Sequence, residues 1–160
     1  MTNKVTVQND VPVSAILAQT ELLIHPELFV LVGLSPDERS RIEHDLQYIR
    51  GDFFQYIVEP DVITLLLDED SWALLSRRYP EARLQGPLNL FTFSMAMDWA
   101  VVGFLAAVTN VLAEAGIPLG AVCGYDRDHL FIAAEYTNQA EQALRAEMER
   151  VRVISFAQGE

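Results

Sequence analysis

Two consecutive stretches of this chain run through the same order of apolar and helical segments, and that repetition restricts the fold more than any single motif does. HPELFVLVGL at 25–34 is rich in β-branched and aromatic residues and predicts a buried strand. Ser35, Pro36 and Glu38 then predict a capped helix start, and Ile42, Leu46 and Ile49 share a face of the helix that follows. Arg50-Gly51 ends it. FFQYIV at 53–58 and VITLLLD at 62–68, separated by Glu59-Pro60-Asp61, predict an antiparallel hairpin. DEDSWALLSRRYP predicts a helix stopped by Pro80, and ARLQG a short closing strand.

The second half repeats this plan. PLNLFTFSMA at 87–96 predicts a strand, and DWAVVGFLAAVTNVLAEAGI at 98–117 an amphipathic helix capped by Asp98 and closed by Gly116. An alternative start nearer Val101 would leave Met97–Ala100 as loop. PLGAVCGY (118–125) and HLFIAA (129–134) flank a turn made by Asp126 and Arg127, a helix follows from Thr137 to Arg150, and VRVISFA reads as a final strand. The two plans are related by a shift of about 60–67 residues, with Asp61 and Asp128 at equivalent hairpin positions. The expectation is an α+β fold of two tandem ferredoxin-like βαββαβ units, each an antiparallel sheet with helices on one face. Residues 1–24 form an N-terminal extension, loose over 1–11 with a short helix through SAILAQTEL; residues 25–86 and 87–160 form the units.

With 51% of its 160 residues hydrophobic, the chain can bury a core of its own. The formal net charge of −12 and the absence of any Lys/Arg cluster argue against nucleic acid as a partner. WAVVGFLAAV at 99–108 is too short to span a bilayer, and the N-terminus has no signal-peptide core, so a cytoplasmic, membrane-free protein is expected. Cys123 is the single cysteine, which precludes an intrachain disulfide, and with His25 and His44 remote from His129 no spacing points to a metal or cofactor.

GFLAAVTNVLAEAGIPLGAVCGYDRDHLFI at 103–132 resembles the ACT-domain variety of the cytosolic arginine sensor family and its small bacterial relatives with two ACT-like units. The shared pattern is a glycine opening an alanine-rich helix, LAEAGI, a strand, an aromatic residue, and Asp-His before an apolar strand. The resemblance implies two ACT-like units that bind an amino acid or related metabolite at a boundary between paired domains and thereby regulate a partner protein, without catalysis. A homodimer is the implied assembly. Carried onto this chain, the ligand contacts are Gly103, Gly124, Tyr125 and Asp128, with His129 completing the motif. The sensors have a small hydroxyl residue where Gly124 stands, so the identity of the ligand does not carry over.

Physical chemistry supports the same pairing. An amino acid presents an ammonium and a carboxylate that must both be satisfied when water leaves. Unpaired N–H groups at a helix start suit the carboxylate, a glycine admits it closely, and an aspartate suits the ammonium or a guanidinium. Asp128 has a simpler reading too, as a turn residue accepting a local backbone hydrogen bond. His129 reads equally as a half-buried structural imidazole and Cys123 as a small core residue. Two rival functions stand beside the sensor: a ligand-free dimerisation and interaction module, and an enzyme using a Cys123–His129 pair across the hairpin. No second copy of the Gly and Asp-His pattern occurs, so one such site per chain is expected.

Overall fold

A computed structural model describes residues 12–95 and 101–158, with side chains through Ile154. The expectations for residues 1–11 and for Asp98 as a helix cap lie outside the described residues. Helix α1 (Val13–Gln19) is followed by β1 (Leu22–Leu34), α2 (Arg39–Asp45), β2 (Gln55–Val58), β3 (Ile63–Asp68), α3 (Glu69–Leu75) and β4 (Arg83–Phe93). Then come α4 (Phe104–Glu114), β5 (Leu119–Cys123), β6 (Asp128–Ala133) and α5 (Thr137–Gln158). The fold is mixed α+β with antiparallel strand pairing. ARLQG and PLNLFTF, read as separate strands, are one continuous strand, β4.

The described residues divide into two compact units: 25–90 form one, and 12–24 join 91–95 and 101–158 in the other. In the 25–90 unit the strand order is β2-β3-β1-β4. The register Val30↔Leu67, Val32↔Leu65 and Leu34↔Ile63 puts these six side chains on one face, where they bury against Ile42 of α2 and Trp72 and Leu75 of α3. Both helices begin with a side-chain cap. Ser35 Oγ accepts from the Asp37 N–H at 3.3 Å at the start of a 3-10 turn (Pro36–Glu38) that opens α2, and Asp68 Oδ1 accepts from the Ser71 N–H at 2.7 Å at the start of α3. One carboxylate of this unit, Asp45, is 0% exposed and doubly held. Arg78 Nη1 donates to its Oδ1 at 2.5 Å and the Tyr79 hydroxyl donates to its Oδ2 at 2.7 Å. Burial, and then this bond to Asp45, push the Tyr79 phenol far above its ordinary value.

The other unit packs Phe91, Phe93, Phe104, Val108, Leu130 and Ile132 around α5, which contributes Ala140, Leu144, Met148 and Val151. Helix α4 ends in a Schellman closure. Ile117 N–H donates to Leu112 O at 2.9 Å and Gly116 N–H to Ala113 O at 3.0 Å, with Gly116 at φ +72° and both Ile117 and Leu112 buried. LAEAGI therefore stops the helix as the sequence reading expects.

The end of the chain differs from expectation. VRVISFA is not a strand; it continues α5 to Gln158. The buried positions Ala140, Leu144, Met148 and Val151 keep a helical spacing through Val151, and that contact overrides the β preference of the branched residues after it. The strand neighbouring the end of β4 comes instead from far upstream. Ser94 N–H donates to Glu21 O at 2.8 Å, and Leu22 and Ile24 join this unit's core together with Ile16 and Leu17 of α1. Arg152 Nε donates to Ala18 O at 3.0 Å and ties α5 to the end of α1.

Candidate functional site

Hairpin β5–β6 fixes the position of Asp128. Gly124 N–H donates to Arg127 O at 2.8 Å, and the ladder pairs Cys123 with Asp128 and Val122 with His129. The loop is therefore Tyr125–Asp126, one residue earlier than the Asp126–Arg127 turn expected from sequence, and Asp128 is the first residue of the returning strand. The equivalent turn in the 25–90 unit has Glu59 N–H donating to Val62 O at 2.9 Å with Val58 paired to Ile63. Asp61 thus matches Asp126 and not Asp128; the counterpart of Asp128 is Ile63, which is 0% exposed.

Across from this hairpin stands the start of α4. It begins at Phe104, a turn later than an Asp98 cap would place it, and Gly103 precedes it at φ +91°, a left-handed conformation that favours glycine. The first helical bond runs from Ala107 N–H to Gly103 O at 2.9 Å, so the N–H groups of Phe104, Leu105 and Ala106 have no acceptor within the helix. Gly103, having no side chain, does not cap them, and the helix start carries the positive end of its dipole.

A cavity of about 280 Å³ joins the two elements, lined by Gly103, Gly124, Tyr125 and Asp128 together with Cys123 and Arg127. Four of the five residues singled out in the sequence thus share one space. Each glycine there has a geometric reason: a Cβ on Gly124 would lie 3.0 Å from Arg127 O, tighter than real contacts, whereas Gly103 is required by its φ. Tyr125 is 98% exposed and stands at the rim. His129 does not line the cavity; its Nδ1 pairs with Thr92 Oγ1 at 2.9 Å, the half-buried structural role.

Among the lining residues not predicted from sequence are Cys123, Asp126 and Arg127. Cys123 is exposed and not a core residue. It faces Asp128 across the ladder, and its thiol is pushed up first by a hydrogen bond to that carboxylate, then by desolvation and by the negative charge itself. The correct hairpin register would have exposed this partnership. It also opposes the cysteine-enzyme reading, because a thiol held protonated is a poor nucleophile and its ladder partner is a carboxylate instead of the histidine base. Among the described residues no group of three His, Cys, Asp or Glu side chains is placed to hold a metal ion, and no helix is long and apolar enough to cross a membrane.

Residues 89–146 match the family model of the ACT domain, a span that contains α4, both strands of the hairpin and all of the cavity lining. No curated protein matches the chain. Among solved structures, a Vibrio cholerae protein described as a possible transport protein superposes with a TM-score of 0.63 at 22% identity, covering 82% of this chain and 92% of its own. The regulatory subunit of aspartate kinase from Thermus flavus gives 0.60 at 15% identity, covering 79% and 95%. Aspartokinase III of E. coli, in complex with aspartate and ADP, gives 0.58 at 15% identity, covering 79% of this chain and 32% of that one. At these identities the likeness establishes the fold.

Proposed function

We propose that this chain is a non-catalytic regulatory protein of two ACT-like units that binds an amino acid or a closely related metabolite in the cavity between α4 and the β5–β6 hairpin. The observation that carries this reading is the opposition, across one small cavity, of an uncapped helix start and the Asp128 carboxylate. The ligand carboxylate takes the N–H groups of Phe104, Leu105 and Ala106, and its ammonium or a cationic side chain takes Asp128. At about 280 Å³ the space lies just below the usual range of ligand pockets, about 300–1,000 Å³, which suits a single amino acid better than a nucleotide. The match of residues 89–146 to the ACT domain and the likeness to aspartate kinase regulatory subunits support a regulatory use of that ligand.

Binding acts by favouring one arrangement of the protein, as a homodimer in the cytoplasm, and so changes the surface that a regulated partner meets. The test is a thermal-shift screen of the twenty amino acids, with Asp128→Ala in parallel. A ligand at about one hundred times its Kd stabilises the protein by about 2.7 kcal/mol, or several degrees for a chain of this size. A shift that one amino acid produces and Asp128→Ala abolishes is the expected result. No shift with any amino acid in the folded protein overturns the sensor reading in favour of a ligand-free interaction module.

A further inference from the structure

A second cavity, of about 320 Å³, lies within the 25–90 unit, lined by Leu31, Gly33, Thr64, Arg83, Leu84 and Gln85 among others. It opens on the sheet face opposite the helices. Val30, Val32 and Leu34 of β1 bury against α2 and α3, so Leu31 and Gly33 look the other way, and Thr64 stands beside Gly33 in the ladder. Arg83 and Gln85 are two apart on β4 and share one face of that strand.

The chemistry of this lining is one-sided. The chain carries 23 acidic residues, yet none lines this cavity, and its polar side chains are a guanidinium, a hydroxyl and a carboxamide, all able to donate. Of the ten arginines, Arg39, Arg41, Arg78, Arg145, Arg150 and Arg152 each pair with an Asp or Glu, whereas Arg50, Arg77 and Arg127 make no ion pair among the described residues. Arg83 makes no ion pair among the described residues. Its fork lies across Gly33, where a Cβ would come within 3.3 Å of Nη2 and 3.4 Å of Nε. Glycine is the residue that lets the guanidinium lie flat on the sheet, with its donors over the cavity and not against a side chain.

We propose that this cavity is a second binding site, for a short aliphatic monocarboxylate, whose head group takes the Arg83 fork and the Thr64 and Gln85 donors while its tail rests on Leu31 and on Val62, which lines the cavity two residues before Thr64. A guanidinium matches a carboxylate with two parallel hydrogen bonds, and Leu31 and Val62 provide apolar surface of the length of a few methylenes. The site differs from the α4 cavity in position and in charge, so its occupancy does not depend on the amino-acid reading.

The experiment follows the Arg83 Nε–H resonance of the full chain by NMR at constant ionic strength while butyrate, n-butanol, inorganic phosphate or chloride is added. Butyrate is expected to give a saturable shift that butanol and chloride do not, and Asp128→Ala to leave it unchanged. The thermal shift by butyrate tracks the same site in variants that lack the reporter. Arg83→Gln, at an exposed position that spares the core, is expected to weaken butyrate binding about tenfold or more, and Arg83→Lys, which keeps the charge and loses the fork, to weaken it by a smaller factor. Gly33→Ala, which lifts the guanidinium, is expected to weaken it as well. A non-saturating or chloride-like response, undiminished binding in Arg83→Gln, or full binding in Arg83→Lys would each overturn the proposal. A response to phosphate stronger than that to butyrate would overturn the ligand class.

Discussion

The two units solve the same local problem, a helix beginning after a strand, in opposite ways. In the 25–90 unit Ser35 sits at φ −63° and its hydroxyl accepts a backbone N–H, so the entrance toward α2 is closed by the chain's own side chain. At α4 the corresponding place is Gly103 at φ +91°, with no side-chain cap. The hairpins diverge in parallel: Ile63, buried in the core, holds the position that Asp128 holds in the other unit. One unit caps the entrance toward its helix with its own side chain, and the other places the start of its helix and a carboxylate on one cavity. A shared order of elements therefore does not imply shared side chains: Ser35 against Gly103 and Ile63 against Asp128 distinguish the two units.

Three perturbations sharpen this contrast. The largest effect is expected where the closed unit has buried a charge. Arg78→Ala removes the cation from Asp45 and leaves a 0% exposed carboxylate with the Tyr79 hydroxyl, at a cost of about 3 kcal/mol, read as a lower urea midpoint at an unchanged m-value. An unchanged midpoint would mean that the interior network is not what holds this unit's helices together.

Next come the two helix entrances. Gly103→Ala forces a side chain into a left-handed conformation and is expected to cost about 1–2 kcal/mol and to diminish the response to the amino-acid ligand. Ser35→Ala is expected to cost about 1 kcal/mol and to leave that response intact. Equal ligand responses in the two variants would erase the distinction drawn between the entrances. The smallest effect belongs to Cys123. Because the Asp128 carboxylate holds its thiol above the ordinary cysteine range, its alkylation rate is expected to rise with pH later than that of a free thiol. Asp128→Asn removes the negative charge and is expected to move the profile to lower pH. A profile that does not move would break the Cys123–Asp128 coupling.

Much of this was legible in local sequence because the forces involved act over a few residues. The Ser35 cap, the Gly116 closure, the alternation of apolar side chains in β1 and β3 and the presence of both hairpins depend on neighbours along the chain. The placement of Gly103 and Asp128 on one cavity was anticipated through the resemblance of residues 103–132 and not through periodicity. Errors appeared where a local signal had two outcomes. A polar break of DRDH permits loops offset by one residue, and that offset changes what faces Asp128 from an unassigned neighbour to Cys123.

By itself the sequence determined the class of the fold, the order of its elements through α4 and the hairpin, and which residue types a small zwitterion would need. Only the tertiary structure decided that VRVISFA is helix, because its conformation follows from packing along α5, and that Glu21–Ile24, remote in sequence, lie beside the end of β4. The structure also chose among the starts offered for α4, in favour of the glycine that opens the helix in the resemblance. Val101, Val102 and Phe104 have similar helical preferences, and the choice of Gly103 rests on its poor helix propensity and on a backbone turn that glycine alone takes easily, made beside Val13 of α1, whose Cγ2 lies 3.4 Å from where a Cβ on Gly103 would be. Long-range contacts select among local alternatives of nearly equal energy, and it is in that selection that the site acquired its open donors.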